Sequence, residues 1–76
     1  MFERITFDPK VMGGRACIRG MRITVSLVVN LVANGMSADE IIREYPDLKP
    51  EDIRESLSYA SALASEELHP FTSSAA

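Results

Sequence analysis

Between residues 25 and 34 the apolar side chains recur with the period of an α-helix. They fall at positions i, i+3, i+4 and i+7, which are occupied by Val25, Val28, Val29 and Val32. This spacing lines up one face of a helix, although β-branched valines also suit a strand. Thr24 is a suitable N-cap, and Gly35 stands where a left-handed residue often ends a helix. The pattern therefore predicts a first helix over this segment.

Capping residues mark a second helix soon after the first. Ser37 and Glu40 have the spacing of a capping box, in which each side chain bonds the other residue's backbone N–H. Ala38, Ile41, Ile42 and Tyr45 repeat the helical spacing. Pro46 disfavours helical backbone at the residue before it, so the second helix is expected to end there.

The third helix is expected to begin at Pro50, since the first turn of a helix has no use for the missing N–H. It is expected to reach Leu68, before Pro70. The residues predicted to form its buried stripe are Ile53, Leu57, Ala60 and Ala64, with Ser56 and Leu63 beside them. Residues 69–76 are expected to form a flexible tail.

The N-terminal third has the alternation of β-strands. Ile5-Thr6-Phe7 alternates apolar and polar side chains and ends at Asp8-Pro9. Ala16–Ile18 and Arg22–Thr24 flank Arg19-Gly20-Met21, which predicts a tight hairpin. The expected domain therefore spans residues 1–68, with a β-hairpin element over 1–24 and three helices over 25–68 that resemble a helix-turn-helix core.

Composition limits the chain to one small globular domain. It has 76 residues, of which 46% are hydrophobic and 25% charged. No apolar run approaches the ~20 residues that cross a bilayer, and the first residues lack a signal-peptide pattern. Cys17 is the single cysteine, so no internal disulfide forms. We therefore expect a soluble, cytoplasmic protein with no membrane role.

Positive and negative charges are segregated along the chain. Residues 1–35 hold five Lys or Arg and two Asp or Glu, whereas residues 36–76 hold three and nine, within a net charge of −3. A polyanion is therefore expected to meet the N-terminal third. The predicted nucleic-acid-binding residues are Lys10, Arg15, Arg19 and Arg22. The alternative is that these arginines pair with acidic helices of the same chain or of a partner.

The same charges count against the third helix as a DNA-recognition helix. It opens with Glu51, Asp52 and Glu55, which would face phosphate oxygens with like charge. The hairpin is therefore the better candidate, because an arginine fork suits phosphates and guanine edges.

An enzymatic function finds no support in the residue types. Cys17 is the single cysteine and His69 the single histidine, and they stand far apart in the sequence, without the spacing of a metal site. Nucleophilic catalysis by the cysteine would need an adjacent base. The carboxylates are expected on exposed helix faces and at helix starts, where they cap and solubilise. We expect no catalytic residue, no metal and no cofactor.

The first helix has more apolar surface than one small core is expected to cover. Leu27 and Leu31 add a second stripe beside the valines. Such a helix is either central to the core or also packs on a partner. The predicted homodimer interface is formed by Val25, Leu27, Leu31 and Val32.

With these segments placed, the chain resembles the domain-of-unknown-function 433 family. The residues that carry the resemblance are Ile5-Thr-Phe-Asp-Pro, the run from Gly13 to Val25 with its Gly-Gly and Ile-Arg-Gly-x-Arg-Ile motifs, Leu31 to Gly35, Ser37-Ala-Asp-Glu-Ile-Ile and Tyr45-Pro-Asp-Leu. The family commonly has proline at the positions of Ala16 and Thr24, and threonine at that of Met21. These departures fall around the hairpin and weaken the transfer of function to its residues.

The resemblance implies both a fold and a partner. The expected fold is mainly α: a small N-terminal β-hairpin element followed by a three-helix, homeodomain-like or winged-helix-like helix-turn-helix core. Family members are small bacterial and archaeal proteins regarded as VapB-type antitoxins. The implied partner is a small PIN-like ribonuclease toxin, usually encoded next door.

Two segments are candidates for blocking such a toxin. Leu68 and Phe71 are the predicted partner-binding residues of the C-terminal segment, while Arg15 or Arg19 could enter an acidic nuclease site. The function expected is an antitoxin-like protein that binds a PIN-like ribonuclease and also its own operator DNA. The alternative is a dimeric interaction module without a nucleic-acid role.

Overall fold

A two-stranded antiparallel sheet precedes three helices in the computed structural model, which describes residues 2–75, with side chains over 2–65. The elements are β1 (Ile5–Thr6), a short 3-10 helix (Met12–Gly14), β2 (Cys17–Ile18), α1 (Val25–Ala33), α2 (Ala38–Glu44) and α3 (Pro50–Ala75). The predicted class, mainly α with a small N-terminal β element, is confirmed.

The sheet combines the predicted first strand with one arm of the predicted hairpin. Its register pairs Ile5 with Ile18 and Thr6 with Cys17. On the other side of β2, Cys17 forms a single antiparallel bridge with Thr24. The second arm of the hairpin does not continue as a strand, because Thr24 is already the N-cap of α1.

The helix ends follow the capping residues of the sequence. The Thr24 Oγ1 accepts a hydrogen bond from the N–H of Leu27 at 3.1 Å. The capping box of α2 is complete: Ser37 Oγ accepts from the Glu40 N–H at 3.2 Å, and Glu40 Oε1 accepts from the Ser37 N–H at 2.8 Å. Gly35, at φ +93°, follows α1 in the left-handed conformation. These three predictions are confirmed.

The core lies between the β element and the inner faces of the helices. Its buried apolar side chains are Ile5, Cys17, Ile18, Val25, Val28, Ile41, Leu48 and Ile53. Phe2 extends this core toward α3, where its ring meets that of Tyr59 edge-on at 5.3 Å between centroids. Because both strands contribute to the core, the β element is an integral part of the domain.

Two sequence expectations about apolar faces need correction, and the first concerns α1. Val25 is only 4% exposed and belongs to the core of the single chain, so it is not available to a second copy. Leu27, Leu31 and Val32 are half-buried, and the last two pack against the core. The small core covers more of α1 than its sequence suggests, because the β element packs on it as well as the other helices.

The second correction concerns the buried stripe of α3. Ile53 and Ser56 are buried as expected, and Ala60 is half-buried, but Leu57 and Leu63 are 37% and 51% exposed, and Ala64 is exposed. The helix is rotated so that Asp52, rather than Leu57, faces inward. The described side chains after Ala60, those of residues 61–65, are all exposed, so this part of α3 contributes no buried residue to the core.

The third helix is the longest element, with 26 residues, or about 39 Å at 1.5 Å per residue. The structure describes it through Ala75, beyond the end expected at Leu68. The predicted partner-binding residues Leu68 and Phe71 lie outside the residues whose side chains are described, and the domain boundary at 68 stays a prediction. Within the described chain, no helix combines the length and the apolar character needed to cross a membrane.

Candidate nucleic-acid interface

Three of the four predicted nucleic-acid-binding residues lie exposed along the segment between β1 and α1. Lys10 follows β1, Arg15 precedes β2, and Arg22 lies in the turn after β2. Within the described part of the chain, no salt bridge involves any of the three. Their positive charges therefore face solvent and are open to a polyanion.

Arg19, the fourth predicted residue, is paired with a buried carboxylate of the same chain. Its Nε donates to Asp52 Oδ1 at 3.1 Å and its Nη2 donates to Asp52 Oδ2 at 2.9 Å, which makes a bidentate pair. Nη2 also donates to the carbonyl oxygen of Asp47 at 2.7 Å. The sequence left open whether these arginines pair with an acidic helix of the same chain. For Arg19 the structure shows this pairing.

The backbone at Arg19 has an unusual conformation that this pairing accounts for. Arg19 and Gly20 both have positive φ, +47° and +74°, in a turn that the Met21 N–H closes onto the Ile18 carbonyl at 2.8 Å. A left-handed conformation costs a side-chain-bearing residue about 1–2 kcal/mol. The turn directs the guanidinium onto the start of α3, where the hydrogen bonds to Asp52 offset that cost.

Arg4 approaches the same carboxylate from β1. Its Nη1 donates to Asp52 Oδ1 at 2.9 Å, and its backbone N–H donates to Glu55 Oε1 at 2.6 Å. The carbonyl of Arg4 accepts the backbone N–H of Arg19 at 2.7 Å. The residue before β1, the turn after β2 and the first turns of α3 are thus joined at one point.

Asp52 is a fully buried carboxylate in the ionised state. Besides the two arginines, it accepts the backbone N–H of Lys49 at 2.8 Å, which caps the start of α3. Burial alone would raise the pKa of Asp52, but the hydrogen bonds from Arg19, Lys49 and Arg4 outweigh it and hold the pKa below its usual value. We call Arg4, Arg19 and Asp52 the carboxylate clamp.

The carboxylate clamp has a structural role, because the hydrogen-bonding capacity of its carboxylate is already used. Both oxygens of Asp52 accept hydrogen bonds from this chain. Across the described residues, no three His, Cys, Asp or Glu side chains group in a way that could hold a metal ion. The carboxylate stabilises the fold. The exposed cations of the N-terminal third are the groups that remain available to bind a partner.

The sequence predicts that Asp52 lies on the surface at the start of α3, where its negative charge interacts favourably with the helix dipole. The signal that points to the clamp is the pair Arg19-Gly20: a turn with two positive φ angles favours Asn or Asp before Gly. An arginine at that position is strained, so a compensating contact of its side chain is expected, and a carboxylate suits a guanidinium. Among the nine acidic residues after position 35, the spacing alone does not say which one it meets.

Comparison with known proteins gives a family without an assigned activity. The model of the family described as protein of unknown function (DUF433) matches residues 5–60. The chain is also similar to the uncharacterized protein y4eO of Sinorhizobium fredii (strain NBRC 101917 / NGR234), at 37% identity over 60 residues. That match covers 79% of this chain and 27% of the relative, so the chain spans about a quarter of the relative's length. No solved structure matches.

The first prediction separates the clamped arginine from a free one. Arg19→Ala is expected to lower the free energy of unfolding by about 2–3 kcal/mol, because Asp52 then stays buried with fewer partners. Arg22→Ala removes an exposed side chain and should change it by less than about 0.5 kcal/mol. Urea unfolding followed by circular dichroism measures both. Equal effects of the two variants would contradict a structural role confined to Arg19.

The second prediction concerns the loss of folding stability at low pH. Because the folded-state pKa of Asp52 is lowered, its stabilisation is complete above the unfolded value of about 4 and is lost as the pH falls below it. Urea unfolding between about pH 5 and pH 2 should show this decline in the natural protein and a shallower one in Asp52→Asn. Glu40, whose pKa is lowered by hydrogen bonds from Ser37, contributes equally to the pH dependence of stability in both proteins. If the free energy of unfolding fell equally steeply with pH in the natural protein and in Asp52→Asn, Asp52 would not be the group responsible for the decline.

Proposed function

The chain belongs to the DUF433 family, and on that premise we propose that it is an antitoxin-like protein whose partner is a small PIN-like ribonuclease. The observation that carries the proposal is the family match over residues 5–60. Members of that family are regarded as VapB-type antitoxins, which supports the choice of partner. The proposal assigns no catalytic residue, metal or cofactor to this chain, and it places the protein in the cytoplasm, where such a nuclease would act.

Exposed arginines support binding to the acidic site of a nuclease. Of the two arginines that the sequence offers for this role, Arg19 is held by Asp52, which leaves Arg15 on the surface. A guanidinium binds carboxylates through two parallel hydrogen bonds, so an exposed arginine suits a site lined with them. The C-terminal segment with Leu68 and Phe71 is the other candidate for contact with the nuclease.

Operator binding is the second part of the proposal. Lys10, Arg15 and Arg22 present positive charge on one continuous stretch of chain, supported on the core by β2. The first turn of α3, by contrast, exposes Glu51 and commits Asp52 to the carboxylate clamp. We therefore assign DNA contact to the β element and not to α3.

A dimeric interaction module without nucleic-acid binding is the alternative function. The exposed leucines of α3, Leu57 and Leu63, favour a protein partner of some kind. The net charge of −3 also favours it over a polyanion partner. The two readings differ in what the exposed cations do, and binding experiments separate them.

The third prediction tests the nuclease partner. Tagged full-length chain purified from its native host should carry a small PIN-like nuclease in stoichiometric amount, identified by mass spectrometry. The purified chain should inhibit RNA cleavage by that nuclease in vitro. Leu68→Ala combined with Phe71→Ala should weaken the complex if the C-terminal segment blocks the nuclease, whereas Leu57→Ala serves as the control. A nuclease that cleaves equally well with and without the chain would overturn the proposal.

The fourth prediction tests the DNA partner. Duplex DNA from upstream of the coding sequence should bind with an affinity that falls steeply with salt, with a log–log slope of about 0.9 for each phosphate contacted. Lys10→Ala and Arg22→Ala should each lower this slope by about 1. Arg43→Ala, at an exposed arginine of α2, should not change it. Fluorescence anisotropy measures the titrations, and no binding at about 50 mM salt would exclude the operator role.

A further inference from the structure

Asn34 and Gly35 connect the end of α1 to α2, and an asparagine followed by glycine is a chemically reactive pair. The backbone nitrogen of the glycine can attack the side-chain amide carbon of the asparagine and expel ammonia, because glycine has no side chain to obstruct the approach. Both residues are exposed in the structure. The proposed nuclease and DNA contacts do not use this segment.

The end of α1 is built as a Schellman motif, with Gly35 in the left-handed conformation at φ +93°. Gly35 donates its backbone N–H to the carbonyl of Val32 at 2.9 Å. Met36 donates its own to the carbonyl of Leu31 at 3.1 Å. We call residues 34–36, with these two hydrogen bonds, the α1 cap. The nitrogen that would have to attack Asn34 is therefore already engaged as a hydrogen-bond donor.

The backbone angle at Asn34 also opposes the reaction. Ring closure joins the Gly35 nitrogen to Cγ of Asn34, which requires Cβ of Asn34 to lie in the plane of the following peptide group. At ψ 8° the backbone nitrogen of Asn34 lies close to that plane instead. Tetrahedral geometry at Cα then places Cβ well out of it. The α1 cap thus exposes the side-chain amide to water but keeps it away from its nucleophile.

We propose that Asn34-Gly35 is a site of spontaneous deamidation that the α1 cap holds closed, so that the modification proceeds only when the cap opens. Opening breaks the hydrogen bonds of Gly35 and Met36 and frees ψ of Asn34 to rotate. Exposed helix ends are among the parts of a protein that open at low cost in free energy, without unfolding of the whole chain. The rate of deamidation therefore reports how often the α1 cap opens.

The reaction needs water as its only co-reactant. The Gly35 nitrogen loses its proton to hydroxide and bonds to Cγ of Asn34, and the side-chain nitrogen leaves as ammonia with a proton from water. Water then opens the succinimide at either of its carbonyls. Attack at Cγ breaks the new bond to nitrogen and gives aspartate. Attack at the backbone carbonyl carbon breaks the original peptide bond and gives isoaspartate.

Either product disturbs the helix end from which it forms. Aspartate places a negative charge at the C-terminal end of α1, where the helix dipole is already negative. Isoaspartate adds a methylene group to the backbone, so the N–H groups of Gly35 and Met36 lose the register that the α1 cap requires. Because Leu31 and Met36 pack against the core, the isoaspartate form is expected to unfold more easily than the unmodified chain.

The sequence supplies an internal reference for this reaction. Asn30 is the other of the two asparagines, and the chain has no glutamine. Asn30 lies within α1 and is followed by Leu31, whose side chain hinders attack by its nitrogen. A change of amide to acid in this chain is therefore assigned to Asn34 or to Asn30 by one peptide map.

Mass spectrometry of the full chain, kept at mildly alkaline pH for increasing times, tests the proposal. Peptide maps that resolve isoaspartate should show both products at Asn34 and none at Asn30. The reaction should be at least about tenfold slower in the folded chain than in urea, because only the opened fraction reacts. Hydrogen exchange of the Met36 amide should be slowed by a similar factor, since the same opening exposes it. Asn34→Gln retains an amide but disfavours ring closure, and it should stay unmodified.

Two truncations of leucine test whether the α1 cap is the gate. Leu31→Ala removes a side chain that packs beside the cap and should speed deamidation of the folded chain by about tenfold, without changing the rate in urea. Leu57→Ala is the matched control, because it makes the same truncation at an exposed leucine of α3 and should leave the rate unchanged. Urea unfolding of both variants gives the globally unfolded fraction, which should be smaller than the fraction that reacts.

Three outcomes would overturn the proposal. The first is a folded chain that deamidates at Asn34 as fast as the same chain in urea. The second is a folded chain whose Met36 amide exchanges while Asn34 stays unmodified over the time in which the opened fraction should react. The third is an equal rate in Leu31→Ala and Leu57→Ala. None of these measurements involves the nuclease or DNA, so their outcome leaves the proposed function untouched.

Discussion

The buried carboxylate of Asp52 is the constraint on which the arrangement of this small domain depends. An ionised carboxylate in the interior is tolerated only when charged and polar donors replace its water. Here Arg4 and Arg19 reach it from the β element, and the backbone of Lys49 reaches it from the start of α3. One residue thereby ties the N-terminal β element to the start of α3. In a domain with so few buried apolar side chains, that connection holds the β element in its place on the helices.

The carboxylate clamp also explains features that look unrelated at first. Arg19 holds a left-handed backbone in a turn that directs its guanidinium onto the carboxylate. The helix α3 is rotated so that Asp52, Ile53 and Ser56 face inward, with the carboxylate toward the two arginines. That rotation leaves Leu57 and Leu63 on the surface. The exposed leucines of α3 are thus a consequence of how its first turn is anchored.

The proposed functions depend on parts of the chain that the clamp leaves free. Arg19 is held by Asp52, whereas Lys10, Arg15 and Arg22 present their charges to solvent from a segment that β2 supports. At the other end, the second half of α3 projects beyond the core with small side chains around Leu63. The basic segment and the exposed part of α3 up to Ser65 are therefore the surfaces on which the proposed binding functions depend.

The sequence by itself determined the elements, because their signals are local. A threonine or serine bonds an N–H three residues away, a proline acts on its neighbour, and a helical face follows from a period of 3.6. Hence α1, α2, their caps, the start of α3 and the mainly α class were predictable. Only the tertiary structure decided which polar residue would be buried and which leucines would not. The partners of Asp52 lie 33 and 48 residues away, and no local pattern singles out one of many carboxylates for a distant arginine. The inward orientation of Asp52 and the loss of Arg19 from the predicted nucleic-acid-binding residues follow from that long-range pairing, whereas Val25 is buried by packing within the apolar core.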